Sequence, residues 1–456
     1  MLTSMRIQTL LAATAAFGFL LSARLPTAGV DENWPQWRGP AGLGVAAGTN
    51  YPEEWSPEKN IAWKAPVEGS GHSSPVIWGD ALFITTAIQG EHVPGRVAPD
   101  HLDFNLKPGY LHPDAAGVDY KNTLKVLAYD TRSGKLLWER TAYDGLMYDN
   151  KHKKNTYASP TIATDGKLLY AFFEAAGIYA YDLKGTPAWK STVGDIAKAG
   201  LGPGTSPVLF EDLLILQCDQ EMGTGSAIIV LDKKTGKQVW RVDRSTRRSW
   251  ATPLIVESGG RAELVASGAE MVIGYDPRTG KELWRAPGVQ SHPIPSIVAG
   301  HGLIFATAGN GAKVAMAIKA GSAGQLKENE GVVWRYNKGT AYVPSPILFG
   351  DDLYLMTEAG LITCLDARTG AVRYEGGRPP VATSFKSSLV AYGDRVLQTS
   401  EEGETFAIKA GPKHEVLRTN SIDEPVWASL AFARDTIFIR GEKHLFAIRN
   451  AAAATK

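Results

Sequence analysis

The stretch VLDKKTGKQVW, Val230 to Trp240, decides the fold because the chain repeats it. AYDTRSGKLLW runs from Ala128 to Trp138, GYDPRTGKELW from Gly274 to Trp284, and CLDARTGAVRY from Cys364 to Tyr374. AYDLKGTPAW, ending at Trp189, is a shortened copy; the segment ending at Trp334 has exchanged the turn for a longer loop, GSAGQLKENEG. Each copy reads as a strand, a tight turn and a second strand. The aspartate accepts N–H groups of the turn, and the glycine supplies the positive φ it needs. The tryptophan at the end of each copy is expected to pack between neighbouring units rather than form a binding ladder.

A second element precedes each copy: a small-residue–proline step, an apolar strand and a turn. It opens at Ser73, Ala158, Thr205, Ala251, Ile294, Pro344, Lys386 and Ala428, which makes eight units. After the first interval the openings fall 42 to 50 residues apart. That period suits four-stranded sheets that must stack to bury both faces, and a ring of them leaves only short edges. The expected fold is therefore all-β, an eight-bladed β-propeller of four-stranded antiparallel blades. The last unit ends at HLFAIRN with no outer strand after it, while NIAWKAPV, containing Trp63, precedes the first opening. The N-terminal strand is thus expected to close the ring beside Phe446.

The remaining segments set the domain plan. Arg6 and the apolar run ending near Leu21 read as an export signal over residues 1–28, cleaved after Ala28 or kept as an anchor. Residues 29–59, rich in proline and tryptophan, read as an irregular arm against the ring. The propeller spans 60–450 with an insertion at 88–122 in the first blade, and 451–456 reads as a disordered tail. The chain of 456 residues has a net charge of +1, which gives no whole-chain attraction for nucleic acid. No second apolar stretch approaches the roughly 20 residues that span a bilayer. Cys218 and Cys364 lie in strand-like runs far apart and read as buried free thiols. The expected location is periplasmic or secreted, and the expected state monomeric.

On these repeats the chain resembles the quinoprotein-type propellers, with repeats like those of pyrroloquinoline quinone (PQQ) dehydrogenases. The resemblance covers Trp34 to the C terminus. WPQWRGP, Trp34 to Pro40, looks like the start of exported PQQ-like repeat proteins common in planctomycetes. By fold the chain is also similar to the outer-membrane β-barrel assembly lipoprotein, a ring without catalytic activity. The enzyme members imply PQQ and calcium, with adjacent cysteines bridged under the quinone and a glutamate, an asparagine and an aspartate around the metal. This chain has no adjacent cysteine pair, and no local motif carries those ligands over.

Residues just before the openings face the channel or one mouth in such a ring. They supply the candidate ligand-binding set His72, Tyr157, Arg248, Trp250, His292, Tyr342, Lys386 and Trp427. Cations pair with carboxylates or sulfates, and aromatic faces stack on sugars or planar rings. The competing reading is local bracing, with Arg247 and Arg248 paired to acids such as Asp243 or Glu424. Asp219 and Glu221 alternate onto one face of QCDQE and form a weak calcium candidate, or they neutralise arginines. His92, His101 and His112 in the insertion match no metal motif. The insertion itself reads as a lid or partner-binding element. Lys151, Lys153 and Lys154 form a basic patch beside Tyr148 and Tyr157. The leading function is a non-catalytic exported propeller that binds a protein partner or a small anionic or saccharide ligand at the channel mouth. The alternatives are a PQQ- and calcium-dependent alcohol or sugar dehydrogenase, and a carbohydrate-active enzyme using Tyr157 or Tyr342 as an activated tyrosine.

Overall fold

The computed structural model describes residues 32–101, 110–220, 223–289 and 292–451. The export signal and residues 452–456 of the tail lie outside them. Eight antiparallel sheets form the ring. Their innermost strands are Val76–Trp78 (blade 1), Ala163–Thr164 (blade 2), Val208–Phe210 (blade 3) and Leu254–Ser258 (blade 4). Blades 5 to 8 follow with Val298–Gly300, Ile347–Phe349, Val390–Tyr392 and Ala431–Ala433. Blade 3 shows the plan: from the hub outward come Val208–Phe210, Leu213–Cys218, Ala227–Asp232 and Gln238–Asp243.

The middle strands are continuously apolar because both their faces meet a neighbouring blade. Ile215, Ile228 and Val230 of blade 3 pack on Leu264, Ala266 and Tyr275 of blade 4 in one buried cluster. The core is thus a set of inter-blade layers, and each buried Leu or Ile contributes about 1.5–3 kcal/mol. The ring closes as the sequence predicts. Ile61–Pro66 pairs antiparallel with His444–Arg449 and puts Lys64 opposite Phe446.

At five of the eight blade junctions a tryptophan couples one blade to the next. The indole N–H of Trp138 donates to the carbonyl of Leu183, just after the aspartate of blade 2, at 3.1 Å. Trp189, Trp240 and Trp334 do the same to Lys233, Pro277 and Ala367, at 3.0, 3.2 and 3.0 Å. Trp63, on the closing strand, reaches Thr131 of blade 1 at 2.9 Å. The turn glycine lies directly beneath the same ring: a Cβ on Gly236 would stand 2.4 Å from Trp189. Aspartate, glycine and tryptophan therefore form one joint, built from two adjacent repeats.

Blade 4 departs from the four-stranded plan. The long loop of blade 5 sends Gly324–Gln325 back to pair in parallel with Trp284 and Arg285, which makes a five-stranded sheet. Blade 5 has no turn motif to receive Trp284, and this indole donates to the buried Glu263 at 2.9 Å instead.

The hub carries a ring of hydroxyls. The backbone N–H of Ser74 donates to Thr161 Oγ1, Thr161 to Ser206, and Ser206 to Thr252, each at 3.0 Å. The series resumes from Ser296 to Ser345, Ser388, Ser429 and back to Ser74, at 2.8–3.1 Å. The step from Thr252 to Ser296 is replaced: Ser296 Oγ accepts the indole N–H of Trp37 at 3.0 Å.

Trp37 belongs to the arm, which does more than pack on the ring. Trp34 exchanges backbone hydrogen bonds with Ile77 of blade 1, and the carbonyl of Pro35 accepts from Thr164 of blade 2. Arg38 Nη2 donates to Pro346 and Leu389, ahead of blades 6 and 7, at 2.8 and 3.3 Å. Gly44 and Ala46 bond to Ala391 of blade 7, and Trp34 and Tyr51 pack on Phe432 of blade 8. One short segment touching blades 1, 2, 5, 6, 7 and 8 lies across the hub. It closes one end of the channel.

Candidate functional site

The other end of the channel is open. A cavity of about 460 Å³ runs inward from the loops before the inner strands to the hydroxyl ring, with Trp37 as its floor. Five of the eight residues singled out from the sequence line it: His72, Trp250, Tyr342, Lys386 and Trp427. They stand near one level because His72, Trp250, Lys386 and Trp427 each lie two residues before the hub hydroxyl of their own blade, and Tyr342 lies three before Ser345. His72 and Trp427, from neighbouring blades, stack with ring centroids 5.1 Å apart and planes 6° from parallel. Lys154 holds its ammonium 5.8 Å from the Trp427 ring centre. Behind Trp250, the buried Lys198 sits 5.7 Å from that ring and donates to the carbonyl of Ser249 at 3.2 Å.

The charges of the wall are partly settled within the protein. Lys154 and Lys386 both approach Glu401, at 4.0 and 3.7 Å. Burial, with help from the Arg440 guanidinium, lowers the His72 pKa to about 3, so its imidazole is neutral at ordinary pH. Glu358 accepts the N–H groups of Tyr342 and Val343, which fixes the loop that presents Tyr342.

The other three sequence candidates stand outside this wall. Tyr157 is buried and donates its hydroxyl to the carbonyl of Asp149 at 2.9 Å. His292 meets Asn310 at 3.1 Å, and Arg248 acts electrostatically on Tyr342 without lining the cavity. The activated-tyrosine reading finds no support, because burial raises the pKa of both Tyr157 and Tyr342. A general base needs the opposite shift.

The remaining expectations resolve into bracing contacts. Arg247 pairs with Glu270 at 3.4 Å, while Glu424 accepts His444 Nδ1 at 2.7 Å. Asp219 is fully buried, 2.9 Å from Arg244 Nε and 2.8 Å from Gln217 Nε2, so it neutralises an arginine. Glu221 lies outside the described residues. His92 and His101 meet Asp119 and Asp149, at 3.1 and 2.9 Å, and only His112 of the three insertion histidines reaches the well. Lys153 pairs with Asp114 at 2.6 Å, which leaves Lys154 as the member of the basic patch that joins the wall.

The wall also contains residues that the sequence reading did not select. His152 and Asn155 come from the long loop after blade 1, and Trp37 comes from the arm. The hydroxyls Ser206, Thr252, Ser296, Ser345 and Ser388 were visible as a repeated Ser or Thr at the openings, beside a proline in all but the last. Trp37 carried no such signal, because the arm has no period.

These residues do not fit quinone and calcium. PQQ carries three carboxylates, whereas the Lys154–Lys386 wall holds two ammonium groups against one carboxylate. Among the described residues no group of three or more His, Cys, Asp or Glu side chains could hold a metal ion. Both cysteines are free and buried, and burial pushes their thiols up to about 12. No helix among the described residues is long and apolar enough to cross a membrane.

The geometry defines a class: an eight-bladed propeller whose hub is stoppered at one end and open as a well at the other. Within that class the chain belongs to the family described as outer membrane protein assembly factor BamB, whose model matches residues 121–375. The crystal structure of BamB from Moraxella catarrhalis is similar, with a TM-score of 0.57 at 10% identity, over 87% of this chain and 99% of that one. The computationally designed Ika8 protein follows at 0.52 and 11%, over 78% of this chain and 98% of that one. A europium-containing methanol dehydrogenase aligns at a TM-score of 0.46 and 13% identity, over 91% and 90%, a likeness too loose to bear on function. No curated protein matches the sequence.

Proposed function

We propose that this chain is a non-catalytic, extracytoplasmic binding propeller that takes a small anionic or saccharide group into the channel well, either free or presented by a protein partner. One observation carries the reading. Five residues chosen from separate repeats meet on a single cavity, whose volume falls within the range of about 300–1,000 Å³ usual for ligand pockets. Its surfaces are aromatic and cationic. The export signal of the sequence supports the location. Membership of a family described as an assembly factor supports a protein as the bearer of the ligand.

A fragment panel tests this, with tryptophan fluorescence and ligand-observed NMR on the protein and on Trp427→Ala. The panel holds neutral sugars, uronic acids, short carboxylates and amino acids. Hits that bind the native chain and fail on a folded Trp427→Ala variant are expected. A panel with no hit that depends on Trp427 overturns the reading.

A further inference from the structure

We infer that the group the well accepts is an acidic saccharide of the uronate type, with one carboxylate per sugar ring. This rests on the binding reading above and names its chemistry.

Three features of the wall lead there. Aromatic surface stands on opposite sides of the ring: Trp427 with His72 ahead of blades 8 and 1, and Trp250 ahead of blade 4, over a Trp37 floor. The C–H face of a pyranose is apolar and packs on such rings, while its edge carries hydroxyls that need partners. Those partners are present. His112 Nδ1 accepts the N–H of Asp114 at 3.1 Å, and His152 Nδ1 accepts that of Lys154 at 3.0 Å. With its Nδ1 accepting, a proton on His112 Nε2 can be donated into the well, whereas His152 Nε2 stands 3.4 Å from Asp114 Oδ2 and is already engaged. The Tyr342 hydroxyl adds a group that both donates and accepts.

Charge selects the acid. Lys154 and Lys386 share Glu401 and leave that wall one net positive charge, while the neutral His72 adds none. One unit of charge matches one carboxylate. A neutral glycan would leave it unanswered, and a planar tricarboxylate would exceed it.

The test is calorimetric titration of the protein with methyl galacturonoside, which carries one carboxylate, and, separately, with the neutral methyl galactoside, each at low and high salt. The galacturonoside is expected to bind at least tenfold more tightly, with the advantage shrinking as salt screens the lysines. Lys386→Gln should remove most of that advantage and leave weak sugar binding, whereas Trp427→Ala should remove both. Should Trp427→Ala not fold, Lys386→Gln, altered at a partly exposed side chain, still decides the matter. Equal affinity for the two sugars overturns the inference, as does a preference unchanged in Lys386→Gln. Fragment hits of another chemistry at Trp427, with no uronate bound, overturn this inference and leave the binding reading intact. The absence of any Trp427-dependent ligand overturns both.

Discussion

At the scale of the residue, the joint between tryptophan and turn glycine explains why the repeat keeps both. Gly236 has φ +71° and lies under Trp189, and Gly350 has φ +63° with open space around its Cβ direction. Alanine at either position meets the backbone cost of about 1–2 kcal/mol. Only Gly236→Ala also pushes a ring out of place, so it is expected to lose about 2–4 kcal/mol. Urea unfolding of the two variants checks the difference. His72 makes the second residue-scale prediction. Its folded pKa of about 3 lies below its unfolded value, so the unfolded chain binds the extra proton first. The stability tied to a neutral His72 is complete above about pH 6.5 and drains away as pH falls toward 3. His72→Gln is expected to flatten the acid limb between pH 6 and 4, as followed by denaturant midpoints. An unchanged limb would show that His72 does not titrate with folding.

At the scale of the element, the blade-5 loop is an internal strand addition. Gly324–Gln325 covers the outer edge of blade 4, and Leu326 is buried in the cluster shared by blades 4 and 5. An uncovered strand edge is a template for pairing with another chain. Replacing residues 321–330 with a short Thr-Gly turn is expected to leave the ring folded but raise self-association, measured by light scattering after size exclusion. A strictly monomeric product would show that blade 4 tolerates a bare edge. The sequence marked this loop as a lost motif. It could not say where the loop went, because two residues of parallel pairing leave no periodic trace.

At the scale of the whole molecule, the ring is held by a strand from the opposite end of the chain and stoppered by the arm ahead of it. Ile61–Pro66 supplies the outer strand of blade 8, and its Trp63 forms the joint to blade 1. Removing residues up to 66 opens both connections at once. The expected outcome is loss of the single cooperative thermal transition, seen by calorimetry. Removing only residues up to 56 should keep that transition and expose the far side of the channel. A truncation to 66 that melted as one sharp unit would show that the latch is dispensable.

The sequence by itself determined the blade count, the direction of closure and the level at which the well residues stand. Each of those is written in a repeat, and a repeat converts position in the chain into position around an axis. This is why His72, Trp250, Tyr342, Lys386 and Trp427 could be chosen before their neighbours were known. Only the tertiary structure decided that Tyr157, Arg248 and His292 fall outside the wall, and that Asp219 pairs with Arg244. It alone placed Trp37 as the floor. Those choices depend on side chains that meet across blades, and on an irregular arm laid over the hub. Contacts between segments far apart in the chain follow no local period.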